Sequence, residues 1–154
     1  VLNSAAYRNK ELITQIGERF GRQAVMISID ARWSAESGDY KLFSDCGRTL
    51  EEVGLEEHIG NVVEAGAGEI LITSIDQEGS MRGYDVRLIK RAVECTNIPV
   101  IAHGGAGNFE HMKEAFLTSG ANAVACASLF NFGDNNPIRA KAFLTNYGLD
   151  FKTS

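Results

Sequence analysis

Cysteine, proline and tryptophan are scarce in this chain: three, two and one among 154 residues. Cys46, Cys95 and Cys126 are an odd number without metal-site spacing, which excludes a disulfide-framed secreted module and a zinc-ribbon domain. Two of the three sit in apolar surroundings, where a reduced thiol packs as a small hydrophobe. A reducing, cytoplasmic setting is expected, with no metal or other cofactor implied. Long apolar runs are also missing. None approaches the roughly 20 residues of a membrane span, and the first residues carry no secretory pattern, so no membrane partner is expected. Positive charge is short as well. Fifteen Lys and Arg against twenty Asp and Glu leave a formal charge of -5, without the dense basic field that holds a protein to nucleic acid.

What is present is a hydrophobic fraction of 44%, enough for one core and one domain. Four apolar runs read as strands: 24–29, 70–75, 99–102 and 123–127. They are continuous rather than alternating, as in parallel strands covered on both faces. Amphipathic stretches separate them. Leu12, Ile13, Ile16 and Phe20 share a helical face within a helix 10–20 that Asn9 would cap, and Val1–Ala6 before it reads as a strand tail and turn. Leu55, Ile59, Val62 and Val63 form a second face, Val86, Ile89 and Val93 a third, and Phe109, Met112 and Phe116 a fourth. A last helix is marked by Asn136 as cap, Pro137 at its first position and Gly148 as its stop. The order is βαβα throughout. A polar excursion from Arg32 to Asp45 carries an alternating Tyr40–Phe43 piece that suits a small hairpin above the strand ends.

In barrels of alternating strands and helices, the loops after the strands carry the active site. Asp30 closes the first full strand, where partial desolvation would suit a general acid or base; a capping or salt-bridged aspartate is the alternative. Asp76 has the same setting, but the turn Gln77–Ser80 after it favours a structural role. His103–Gly107 joins a strand to a helix capped near Asn108, and its glycines let backbone N–H groups approach an anion at a helix N-terminus, or merely form a tight turn. The neighbouring Ala127–Ser128 strengthens the anion reading. His58 and His111 read as surface or packing residues on helices, whereas His103 stands at a strand mouth, able to contact a ligand.

Seven segments in one order resemble the second half of the HisF cyclase family of imidazole glycerol phosphate synthase: Asn3–Ala6, Ser28–Asp30, Gly66–Leu71, Thr73–Asp76, Gly83–Asp85, Gly104–Gly107 and Ala127–Phe130. The resemblance implies a (βα)8 TIM-barrel fold of which this chain is the C-terminal half. Residues 1–23 would end a fourth βα unit, and 24–154 would be the fifth to eighth. It implies Asp30 as the catalytic aspartate, Asn3 and Ser4 in one phosphate site, and Gly104, Gly105, Ala127 and Ser128 in the other. Thr73, Asp76 and Ser80 would line the substrate cleft, and Glu69 would lie on the amidotransferase side. The implied chemistry closes an imidazole ring on a phosphorylated ribosyl substrate. Its ammonia would come from a glutamine amidotransferase (HisH-like) partner.

The family's other catalytic aspartate, on its first strand, has no counterpart in this chain, so the isolated chain is not expected to complete the reaction. His103, Glu78 and Met81 also depart from the family pattern. Met81, Asn3–Ser4 and the run 131–139 look more like the HisF-like paralogues of surface-polysaccharide clusters, which would aminate or amidinate a sugar. A non-catalytic, phosphate-binding half-barrel is the third reading. Four parallel strands with open edges predict self-association, with a homodimer as the simplest closure.

Overall fold

The computed structural model describes residues 1–151. A short helix α1 (Ser4–Arg8) and α2 (Lys10–Phe20) lead through a 3-10 turn into β1 (Met26–Ser34). There follow β2 (Asp39–Ser44), β3 (Thr49–Glu51), α3 (Leu55–Glu64), β4 (Glu69–Ser74), α4 (Val86–Glu94) and β5 (Val100–His103). The chain ends with α5 (Phe109–Leu117), β6 (Ala123–Val124), α6 (Ser128–Asn131) and α7 (Pro137–Thr145). The fold is α/β, the half of a (βα)8 barrel: β1, β4, β5 and β6 are parallel neighbours, and helices connect them.

The sheet buries one face completely. Ile27, Ile29, Ile70, Ile72 and Ala102 are fully buried against Ile13, Ile59, Val62, Leu88 and Ala92 of the helices. The opposite face, the inside of the half-barrel, carries Met26, Ser28 and Asp30 of β1 and is only half-covered. The continuous apolar runs therefore have one covered face within this chain, and the strands alternate in burial although the sequence scarcely alternates in polarity. Both lateral ends of the parallel ladder are thin. Leu2 is a single parallel rung beside Ile27, its N–H and carbonyl bonded to Met26 and Ser28 at 2.8 and 2.7 Å, and β6 is two residues long.

Several local expectations change. The first strand starts at Met26 rather than Ala24 and runs on to Ser34, because residues 39–44 fold back as β2 and pair antiparallel with Asp30–Ser34. The hairpin is thus a continuation of the strand, closed by the turn at Gly38 with φ 66°. It is fastened to α4: Tyr40 donates its hydroxyl to Asp85, which also caps α4 by accepting from Leu88 N, and Arg87 stacks on Trp33 at 3.7 Å. Residues 4–8 form a helix where a turn was expected. The run 123–127 is strand only to Val124. The capped helices agree with the pattern: Asn9, Asn108 and Asn136 each accept from the backbone three residues on. The three cysteines are free. No helix among the described residues is long and apolar enough to cross a membrane.

His58 packs inside rather than at the surface. Its ring stacks on Tyr7 with centroids 4.0 Å apart, and its Nε2 has no hydrogen-bond partner among the described residues. Burial, with a smaller contribution from Lys10, pushes its pKa down to about 4. The unfolded chain then binds a proton, at the ordinary value of 6.5, that the folded chain refuses until about 4, so stability falls as the pH drops through that window. The loss should reach about 3 kcal/mol. His58→Leu should remove most of it: urea denaturation at pH 7 and pH 4.5 should show a much smaller acid loss for the variant than for the unmodified chain, and equal losses would contradict this account.

Candidate functional site

Register decides what the strand ends present. Asp30 lies beside Thr73 in the β1–β4 ladder, and Thr73 lies beside His103 in the β4–β5 ladder. Side chains two residues apart share a face of a strand. Asp30 therefore stands above Ser28, Thr73 above Leu71 and His103 above Ile101, and the three form a polar row at the C-terminal end of the parallel pairing of three adjacent strands. Thr73 Oγ1 and His103 Nδ1 are 3.1 Å apart. Burial raises the Asp30 carboxyl above the ordinary carboxylate range; hydrogen bonds from Ser28 and Thr73 and the charge of His103 oppose that rise. A carboxyl so placed is suited to exchanging protons.

A narrow cleft adjoins the His103 end of this row. His103, Gly104 and Gly105 bound it, with Cys126, Ala127 and Ser128 from the loop after β6 and Glu78, Gly79 and Met81 from the loop after β4. His103 Nδ1 lies 3.6 Å from Glu78 Oε2, an ion pair whenever the ring carries its second proton. The glycines here serve close packing first. A Cβ on Gly105 would fall 2.1 Å from the carbonyl oxygen of Gly83, whose N–H bonds the Gly105 carbonyl at 2.7 Å, and one on Gly107 would fall 2.0 Å from the Met81 carbonyl oxygen. Gly107 N–H is itself taken by His111 Nδ1 at 3.1 Å. The loop is thus pinned backbone to backbone against residues 81–83, leaving Gly104, Gly105, Ala127 and Ser128 together along the cleft.

The other expected residues lie apart. Asn3 donates to the Ser28 carbonyl at 3.0 Å and Ser4 accepts from Asp45 N–H at 2.9 Å, tying α1 to the hairpin beside β1. Asp76 is exposed and paired with Arg32 at 3.1 Å. Ser80 donates to Gln77 and accepts from Arg82 N–H, which shapes its own loop. Glu69 begins β4 opposite Met26, at the far end of the strand from Thr73. His103 and Glu78 are each evident in the sequence, but residues 25 positions apart give no local signal of their pairing. Among the described residues, no three His, Cys, Asp or Glu side chains are grouped to hold a metal. A larger groove between α5, β6 and α7 is lined mostly by apolar side chains such as Phe116, Val124 and Leu144 and offers little for proton chemistry.

The profile of the histidine biosynthesis protein family matches residues 1–136. The HisF subunit of imidazole glycerol phosphate synthase from Bacillus subtilis (strain 168) is 39% identical over 151 residues, which is 98% of this chain and 60% of that protein. The HisF subunits of Thermotoga sp. (strain RQ2) and Pyrobaculum aerophilum are 40% and 41% identical over the same length, with 58% of each covered. The chain spans about three-fifths of the length of the curated relatives it matches. Both the resemblance in the seven segments and the parallel half-barrel agree with these matches, and the chain belongs to the histidine biosynthesis protein family.

Proposed function

We propose that this chain provides the C-terminal half of an imidazole glycerol phosphate synthase cyclase barrel, acting in histidine biosynthesis on a phosphorylated ribosyl substrate with ammonia from a glutamine amidotransferase. One observation carries the reading: in a chain about 40% identical to HisF subunits, the row Asp30–Thr73–His103 opens directly beside the cleft of Gly104, Gly105, Ala127 and Ser128. Asp30 is the general acid or base. The cleft takes one phosphate, and Asn3 and Ser4 flank the other. Thr73, Asp76 and Ser80 border the substrate, for which Asp76 must give up Arg32. Glu69, at the opposite end of the strands, faces the side from which ammonia enters.

A second reading has its own support. His103, Glu78 and Met81, the positions that depart from the HisF pattern, all border one cleft, which is where a change of substrate would be written. Amination or amidination of a sugar for a surface polysaccharide is that alternative. It prevails if a closed barrel with intact Asp30 and ammonia leaves the histidine-pathway intermediate untouched.

Three outcomes test these assignments. When the chain is combined with the first half of a HisF relative and ammonia, Asp30→Asn should lower kcat about 100-fold with KM nearly unchanged, as expected for loss of an acid–base group; a variant that keeps its kcat removes Asp30 from the mechanism. Phosphate affinity, measured by calorimetry, should fall about tenfold or more in Ser128→Glu, which sets a like charge against the anion. Ser128 is the better probe than Gly105, where any side chain would collide with the Gly83 backbone. The open ladder ends and half-covered inner face should also drive the chain into a homodimer. Light scattering at micromolar concentration should give about twice the 16.7 kDa of one chain, and a monodisperse monomer would refute it.

A further inference from the structure

We propose that Asp30, Thr73 and His103 form a proton relay in which His103 loads and unloads the proton that Asp30 exchanges with substrate; its use in turnover rests on the cyclase reading, and its existence does not.

The geometry has three parts. The residues are consecutive in one register row and face the same side of the sheet. Thr73 is buried, its Oγ1 3.1 Å from His103 Nδ1, and it stands beside Asp30 in the β1–β4 register. A hydroxyl donates one proton and accepts through its lone pairs, so it suits a place between two titratable groups that the strands hold two ladder spacings apart, about 10 Å between backbones. Finally, Nε2 of His103 has no hydrogen-bond partner among the described residues, and the residue lines the cleft, so the far nitrogen of the ring is where the relay opens.

The groups around the ring fit that role. Asp30 approaches from β1, Thr73 from β4 and Glu78 from the loop after β4, 3.6 Å from Nδ1. Cys126, from the loop after β6, lines the same cleft, and its thiol is pushed up by burial.

The proton count closes. When Asp30 acts as a base, its carboxylic proton passes to Thr73 Oγ1 as the Thr73 proton passes to His103 Nδ1, and Nε2 releases its proton to the cleft. What remains is a carboxylate, an intact hydroxyl and a neutral ring protonated on Nδ1. When Asp30 next acts as an acid, Nε2 takes a proton, Nδ1 gives one to Thr73, and Thr73 gives one to Asp30. The second half reverses the first, so a reaction needing a base and then an acid returns the ring to its starting state. No electron is transferred and no other bond breaks.

The relay is tested on the chain as it stands by NMR titration of the His103 ring nitrogens. Asp30→Asn should move the His103 midpoint down by about 0.3 unit or more, since it removes a coupled negative charge. Thr73→Ser, which keeps the hydroxyl, should leave that shift intact, and Thr73→Val, of nearly the same shape, should cut it to less than half. An equal shift in the Val background would show a through-space field only and overturn the relay, as would no shift in any background. In the closed barrel, His103→Gln and Thr73→Val should each lower kcat about tenfold and flatten the same limb of its pH profile. The double variant should be no worse than either, because both break one path. Additive losses would overturn the path, whereas absence of cyclase turnover in the unmodified barrel would overturn the functional reading and leave the NMR coupling to decide the relay.

Discussion

In the parallel ladder between β1 and β4, Ile29 lies beside Ile72 and Asp30 beside Thr73. Because side chains alternate faces, a slip of one residue would turn Asp30 into the helix layer and bring Ile29 out at the strand mouth. The register is held from the buried side, where Ile27, Ile29, Ile70 and Ile72 are fully enclosed. Each such side chain contributes about 1.5–3 kcal/mol on burial, and a slip of β1 would expose Ile27 and Ile29 together. The chemistry at the strand ends is thus positioned by apolar packing on the other face of the same strands. The next ladder repeats the arrangement, with Ala102 beneath the helices and His103 at the mouth.

The loops above the strands are fixed by a different means, the close approach of backbones where a side chain is missing. Gly105 and Gly107 lie where a Cβ would be 2.1 and 2.0 Å from the carbonyl oxygens of Gly83 and Met81, and at the opposite end of the strands Gly68 meets the Arg22 carbonyl in the same way. Gly104 and Gly105, with φ of 89° and 104°, also adopt a backbone that other residues rarely accept. The loop after β5 is consequently locked to the loop after β4, and that lock brings Glu78 of one loop to His103 at the root of the other. Glycine here builds the site by letting two loops touch.

The parts of the fold legible in sequence are those governed by neighbours along the chain. Asn9, Asn108 and Asn136 announce helix starts because a cap bonds the backbone three residues on. The strand at 70–75 is legible because both its faces carry apolar residues near its middle. The place of Asp30 on the inner face is legible because it closes an apolar run two residues after Ser28. What was missed depends on partners far away in sequence. The extension of β1 to Ser34 exists because β2 returns alongside it, and its side chains Trp33 and Tyr40 are secured by Arg87 and Asp85 of α4. Asn3 and Ser4 look free in sequence, yet their polar atoms are occupied by Ser28 and Asp45.

The two faces of the sheet also differ in what they ask of the rest of a barrel. On the helix face, Ile27, Ile29, Ile70 and Ile72 are fully enclosed by packing within the described residues. The inner face is arranged in tiers instead: Glu69 at one end, Ser28, Leu71 and Ile101 in the middle, and Asp30, Thr73 and His103 at the mouth. In a closed (βα)8 barrel the interior is filled by such tiers, with side chains contributed from strands all around the ring. Half a ring supplies half of each tier, so the middle tier remains partly exposed until strands from elsewhere face it. Closure would therefore change the surroundings of the inner tiers more than those of the helix layer. It would withdraw Asp30 further from water, which strengthens the same desolvation that already raises its carboxyl. The half-barrel thus holds the Asp30–Thr73–His103 row in geometry, and a completed ring would deepen its surroundings.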